Sequence, residues 1–403
     1  MPNQPNRYKW YVITLVVFTN MFLIAIPAMG MSVLAKEISQ DLGLTVVQVG
    51  IVWGIGSLPA IFTSLLGGGI GDKLGPKRVL VTASLVAGLL GAARGFVSDF
   101  NALVVIVVLL GGLIPFVSMN GIKITGQGFP SSQLGLANGL ISMGMALGFL
   151  IGSMVSATVL SPLLGGWRNV LLAYGCIGTF FSIPWVFVKA PPMSPHENKE
   201  RLSLRAAIFQ VVRSKNVWLL GFTLFGVGGC IQSILGYLPL YLRNIGWDAV
   251  RADGALSAFH TASMIFVMPI ALWSDRLRSR KGLLMVLAVL VALGTGLLNI
   301  ASGQWIWAAV LMAGIVRDGF MAILLTMIIE VEGIGSTYAG TATGLVMALS
   351  GIANTIAPPF GNSLADISPS APFLLWSAWA FLGIVCLSLL RKNTVKQKEI
   401  REA

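Results

Sequence analysis

The chain reads as an all-α integral membrane protein of twelve transmembrane helices in two pseudo-symmetric six-helix bundles, and three observations carry that expectation. Of its 403 residues, 56% are hydrophobic and 10% charged, with a mean hydropathy of +0.84. A soluble domain carries about a quarter charged residues, so this surface suits lipid. At roughly 20 apolar residues per span plus a short connection, the length accommodates about twelve spans. Two short patterns also recur about half a chain apart.

The apolar runs place the spans at 10–34, 47–70, 78–97, 102–126, 134–160, 169–189, 216–242, 252–273, 282–301, 304–330, 337–362 and 372–390. The first run is too long for the core of a cleavable signal and reads as a span. Cys176, Cys230 and Cys386 fall singly inside apolar runs, as small core hydrophobes do. A polar stretch at 191–215, containing SPHENKERLSLR, separates an N-terminal bundle (1–190) from a C-terminal one (216–403). It reads as a cytoplasmic linker with an amphipathic piece around 202–212.

The net charge of +12 does not point to nucleic acid, because its bases lie between spans instead of striping a soluble face. One side collects Arg7, Lys9, Lys73, Lys77, Arg78, Lys189, Lys199, Arg201, Arg205, Arg213, Lys215, Arg276, Arg278, Arg280, Lys281 and the tail lysines; the other has Lys36, Arg94, Arg168, Arg243 and Arg251. The positive-inside rule then puts both termini in the cytoplasm, in the inner membrane of a cell with such short loops.

Asp72-Lys73-Leu74, two residues, then Lys77-Arg78 follows the second span. Asp275-Arg276-Leu277, two residues, then Arg280-Lys281 follows the eighth, 203 residues later. Gly135-x-Ala137-x-Gly139-Leu140 returns as Gly340-x-Ala342-x-Gly344-Leu345 at an offset of 205. Two patterns at nearly one offset indicate duplicated six-helix units.

The segment 68–78, GGIGDKLGPKR, resembles the signature loop between helices two and three of the major facilitator superfamily. Gly68, Asp72, Lys73, Gly75, Lys77 and Arg78 fill its positions. The second copy keeps Asp275 and Arg276 but has Ala271 and Arg278 in place of the glycines. The resemblance spans the whole chain and implies a secondary transporter whose two bundles rock around a midplane site. It also implies that these motif residues gate the cytoplasmic side. Gly75 allows a tight turn, and Asp72 can bridge charges or helix ends of the opposite bundle. The plainer alternative is that Lys77 and Arg78 only enforce topology.

An ionised group inside hydrocarbon is expensive and so a functional candidate. Arg317 and Asp318 lie mid-way along the tenth span, one of the cavity-lining helices (first, fourth, seventh and tenth) in the resemblance. Arg317 suits an anion, since guanidinium matches carboxylate or phosphate as a fork; Asp318 suits coupling or gating. A structural Arg317–Asp318 pair is the alternative, although adjacent helical residues diverge by about 100°. Asn120, Lys123 and Gln127 form one polar face of the fourth span, with Lys123 either in the cavity or snorkelling to the interface. Asn20, Gln232 and Tyr237 are further candidates for substrate contact. Their alternatives are interhelical hydrogen bonding and, for Tyr237, interfacial anchoring. His260 carries a proton or merely packs. Glu330 and Glu332 suit salt bridges to a basic loop. Gly144, Gly148 and Gly152, at every fourth residue of the fifth span, allow close helix packing.

The leading functional expectation is transport of a small anionic solute, an organic acid or oxyanion, by alternating access. An ion or substrate gradient would drive it, with a proton or sodium ion as coupling partner and a monomer as the working unit. The loops and the eleventh span are similar to the cyanate and nitrate branches of the superfamily, though the glycine-asparagine signature of nitrate porters is missing. The alternative is proton-coupled export of apolar or cationic drugs; exporters of the superfamily carry an antiporter motif on the fifth helix, and Gly139, Gly148 and Gly152 match its spacing, but Ser153 stands where proline is usual. A sensor would carry larger cytoplasmic domains. No phosphate loop, metal cluster or nucleophile with a nearby base suggests an enzyme, a metal or a cofactor.

Overall fold

The structure, a computed structural model, describes residues 6–130, 133–188, 204–277 and 280–390, apart from the side chains of a few positions among them. Twelve helices among these residues are long and apolar enough to cross a membrane: α1 (Tyr8–Val33), α2 (Val46–Ser64), α3 (Pro76–Phe96), α4 (Phe100–Gly128), α5 (Leu134–Leu164), α6 (Trp167–Val186), α7 (Lys215–Asn244), α8 (Ala249–Ser274), α9 (Arg280–Leu297), α10 (Trp305–Ile329), α11 (Thr337–Asn362) and α12 (Ala371–Leu389). Each expected span has its helix. A shorter helix, Leu204–Arg213, falls in the stretch read as a linker; most of that stretch, 189–203, lies outside the described residues, as do Arg278 and the basic tail.

Helix ends follow local chemistry. Thr45 and Gln48 form a capping box at the start of α2. Asp99 and Asp248 accept the Ala102 and Arg251 amide N–H groups at the starts of α4 and α8. Each cap satisfies a donor that the first helical turn leaves without an intrahelical acceptor.

The duplication is visible in three dimensions. Helices α2 and α4 cross where Gly111 lies on the Gly56 backbone, and α8 and α10 cross where Gly314 lies on Phe259; both positions in the second pair stand 203 residues after the first. Lys77 donates to the Val186 carbonyl at the end of α6, 2.7 Å away. Lys281 does the same for α12, reaching the Ser388 and Leu390 carbonyls at 2.8 and 2.7 Å. In each bundle a lysine thus neutralises the negative end of the bundle's last helix. In the repeated small-residue motif, Ala137 and Ala342 are fully buried, whereas Gly135, Gly139 and Gly340 face open space.

Small residues set how closely helices approach. A Cβ added at Gly144, Gly148 or Gly152 of α5 would stand 2.5–2.6 Å from Val17, Ala25 or Ile26 of α1. Helix α1 meets this stripe through a π-helical segment, Asn20–Ala25, and α5 carries its own at Ser156–Leu160. Gly148→Leu is therefore expected to destabilise the protein by about 1–3 kcal/mol, the range for overpacking a well-packed core. Melting in detergent reads this directly, and an unchanged midpoint would mean that α1 yields freely.

The two bundles meet along α2–α11 and α5–α8, and the hydrogen bonds between them run from mid-span toward the face opposite the chain termini. Ser32 donates to the Leu235 carbonyl. Lys36 reaches the Arg243 carbonyl at 3.0 Å, Trp53 the Gln232 carbonyl at 2.7 Å, and Asn362 the Val46 carbonyl at 2.8 Å. Gly50 and Gly54 of α2 admit the backbones of Pro359 and Thr355 of α11. These contacts join the two bundles on the far side.

Candidate functional site

Helix α10 is not continuous. It consists of Trp305–Gly314 and Arg317–Ile329, with Ile315 and Val316 in a turn between them. Arg317 and Asp318 therefore occupy the first turn of a half-helix in mid-span, where N–H groups lack intrahelical acceptors and the helix dipole is positive. Discontinuous helices of this kind line the sites of many transporters.

Ser263 of α8 closes part of that end. Its hydroxyl donates to Asp318 Oδ2 at 2.7 Å and accepts the Asp318 backbone N–H at 3.1 Å. Asp318 is thereby turned to α8, and its other oxygen stands 3.8 Å from Arg317 Nη1. That distance lies beyond a hydrogen bond, as the divergence of neighbouring helical residues requires.

Arg317 points across the interface. Its guanidinium carbon lies 4.5 Å from the centroid of the Phe149 ring on α5, a cation–π stack. Nη1 is 3.4 Å from His260 Nδ1, and His260 Nε2 is 3.1 Å from Met29 Sδ on α1. Arg317 can only donate, so this arrangement uses Nδ1 as acceptor and places the ring proton on Nε2. The Phe149 and His260 rings stack at 5.5 Å and 22°. The charge is held by an aromatic face, one long hydrogen bond and the 3.8 Å pairing with Asp318, with no bidentate carboxylate among the described residues. Its side chain keeps 20% of its exposure.

The other sequence candidates do not all converge here. Gln232 sits at the bundle interface, where Trp53 Nε1 donates to its backbone carbonyl. Lys123 is half-buried and Gln127 exposed, near the terminal end of α4. Three side chains turn elsewhere, which corrects the cavity-facing expectation for them. Asn120 is fully buried, donates to the Phe116 carbonyl at 2.8 Å and is wedged against Gly71, where the helix of α2 continues to Leu74. Asn20 is buried and donates to the Val16 carbonyl at 2.8 Å. Both amide nitrogens donate to a carbonyl one turn back on their own helix, as short polar side chains do in apolar surroundings. Tyr237 is buried, donates to the Pro369 carbonyl at 2.9 Å and packs on Phe373 and Trp376 of α12.

Of the gating motif, Gly75 has φ +90, a backbone state that favours glycine. Lys73, Arg78 and Arg276 are exposed, and Lys77 bonds within its own bundle. The surroundings of Gly68, Asp72 and Asp275 lie outside the described side chains. Glu330 reaches Arg280 at 3.5 Å.

Sequence reasoning missed Phe149, Met29 and Ser263, which carry no charge and no motif. It also missed a buried ion pair: Arg243 Nη2 lies 2.7 and 2.8 Å from the two Asp253 oxygens, with the side chains 8% and 1% exposed. A signal for it existed, since opposite charges flank the same short loop between α7 and α8.

The family model of the major facilitator superfamily matches residues 13–332 and, in a second match, 245–403. The chain belongs to the major facilitator superfamily. It is thus a multi-pass membrane transporter of this type, not an enzyme. Among curated relatives, a probable sulfoacetate transporter of Cupriavidus necator, SauU, is 26% identical over 417 residues, covering 96% of this chain and 95% of the relative. A probable nitrate transporter of Staphylococcus aureus, NarT, is 26% identical over 384 residues, with 90% of each chain covered. The solved nucleoside transporter NupG superposes with TM-score 0.76 at 12% identity, over 95% of this chain and 100% of that one. A D-xylose–proton symporter gives 0.78 at 16% identity, over 96% and 98%. At such identities these two structures show the shared fold alone.

Proposed function

We propose that this chain is a secondary active transporter of a small anionic solute, an organic acid or inorganic oxyanion, moved by alternating access under an ion or substrate gradient. The observation that carries the reading is Arg317, a guanidinium at the start of a half-helix, stacked on Phe149 and paired with Asp318 only at 3.8 Å. An anion there would gain charge-assisted, forked hydrogen bonds and the positive end of the helix dipole. The relatives described as sulfoacetate and nitrate transporters support an anionic substrate class.

With the basic loops on the cytoplasmic side of a cell's inner membrane, the contacts on the far face describe a state closed to the outside. Coupling falls to His260 and Asp318. A proton on His260 Nδ1 would confront Arg317 with a donor and loosen its grip on the α8 side. The protein works as a monomer, each copy holding both halves of its site.

The test is melting of the detergent-purified protein against short carboxylates, sulfonates and nitrate, lipophilic cations, and neutral solutes. A ligand at a hundred times its dissociation constant adds about 2.7 kcal/mol if it binds only the folded state. Stabilisation confined to anions is expected. Stabilisation by lipophilic cations alone would overturn the reading in favour of drug export.

A further inference from the structure

Arg94 is a buried charge that the central site does not use. It stands at the end of α3 and is 6% exposed. A base near a helix end normally snorkels out to the interface, but this one folds back. Its Nε donates to the Gly91 carbonyl, one turn earlier, at 3.3 Å. Gly91 makes the room, since a Cβ there would stand 3.4 Å from Gly175 of α6 and 3.7 Å from Arg94 Nη2.

Among the described residues no carboxylate pairs with Arg94. The acids of the same bundle on that face are engaged elsewhere. Glu37 takes the Ser161 hydroxyl at 2.5 Å, Asp41 takes Trp167 and Arg168, and Asp99 caps α4. The guanidinium instead borders a cavity of about 220 Å³ inside the first bundle, lined among others by Ala28, Ile114 and Tyr174. Trp53 and Gln232 close it toward α7, joined by their 2.7 Å hydrogen bond. Ile114 stands 203 residues before Arg317. Where the second bundle places a cation on its tenth helix, the first has an apolar residue there and brings a cation in from α3.

We infer that Arg94 and this cavity form a second anion-binding site, internal to the first bundle, for a small oxyanion of the carboxylate, sulfonate or nitrate class. A buried guanidinium without a counter-charge is costly, and a forked oxyanion satisfies its free N–H groups. The walls are otherwise mostly apolar, so charge fixes the position and volume limits the size. The inference stands apart from the reading of Arg317, because its residues and its bundle are different.

The experiment titrates sodium nitrate and sodium methanesulfonate, at fixed ionic strength, into purified wild type, Arg317→Gln, Arg94→Gln and the double variant, reading the melting midpoint. Arg317→Gln is expected to retain a saturable upward shift. Adding Arg94→Gln should remove it or weaken the apparent dissociation constant at least tenfold, while Arg94→Lys keeps part of it. No shift in Arg317→Gln, or a shift that Arg94→Gln leaves unchanged, would overturn the inference. Should Arg94→Gln fail to fold, Ala28→Leu fills the cavity with the arginine intact; in the Arg317→Gln background it must abolish the shift, and persistence of the shift counts against the site. A response identical in wild type and Arg317→Gln, yet lost in Arg94→Gln, would sink the reading of Arg317 alone.

Discussion

Arg317→Gln is expected to weaken anion binding at the central site about a hundredfold or more while the protein still folds and inserts. Hydrogen bonds to charged groups contribute about 1.5–3 kcal/mol each, and a tenfold change in affinity corresponds to about 1.4 kcal/mol, so losing a two-pronged contact exceeds two decades. Glutamine keeps a planar head to lie on Phe149 but loses the charge and the fork. Stability should change little, because the internal contacts of Arg317 are long: 3.4 Å to His260 and 3.8 Å to Asp318. Ligand titration and uptake into proteoliposomes measure the two consequences separately. Binding at full strength in the variant would remove Arg317 from the site.

Asp253→Asn is expected to give the largest loss of stability, about 3–5 kcal/mol, the cost of leaving one partner of a buried ion pair uncompensated. Both oxygens of Asp253 are held by Arg243, and the Arg243 Nε is buried without a partner of its own. The Arg243 carbonyl in turn receives Lys36 from the other bundle, so the pair supports the seal on the far face. Replacing both residues together, Arg243→Met with Asp253→Leu, should recover much of the loss, since removing a whole buried pair is often neutral. Arg251→Gln serves as the contrast. Its pairing with Asp248 is 3.4 Å long and the side chains are 74% and 57% exposed, so its loss should cost under about 1 kcal/mol. Equal melting midpoints for Asp253→Asn and Arg251→Gln would show that water reaches the Arg243–Asp253 pair.

Charge inside an apolar run was legible as a mark of candidate residues, because hydrocarbon makes an ionised side chain expensive wherever the helix is placed. That signal found Arg317 and Asp318, and His260 beside them. It could not rank Asn20, Asn120 and Tyr237. A neutral polar side chain is satisfied equally well by its own helix, a neighbouring helix or a ligand, and only the helix rotation decides. Arg243 and Arg94 show the same limit for charges near span ends. Counted as loop charges, both bear on topology. Seen in three dimensions, one is half of a buried pair and the other reaches back into a cavity.

By itself, the sequence determined the number of spans, the duplication, the membrane setting and the family resemblance. Each of these follows from local composition or from a short pattern that survives without knowledge of any contact. Tertiary structure alone decided which faces of the helices meet. It split α10 just before Arg317, laid Phe149 of one bundle under that guanidinium, and turned Asp318 away to Ser263. The physical reason is that helix rotation and crossing are set by many small packing contacts, such as those at the glycines of α2 and α5, spread over residues far apart in the chain. No single position in the sequence carries that information.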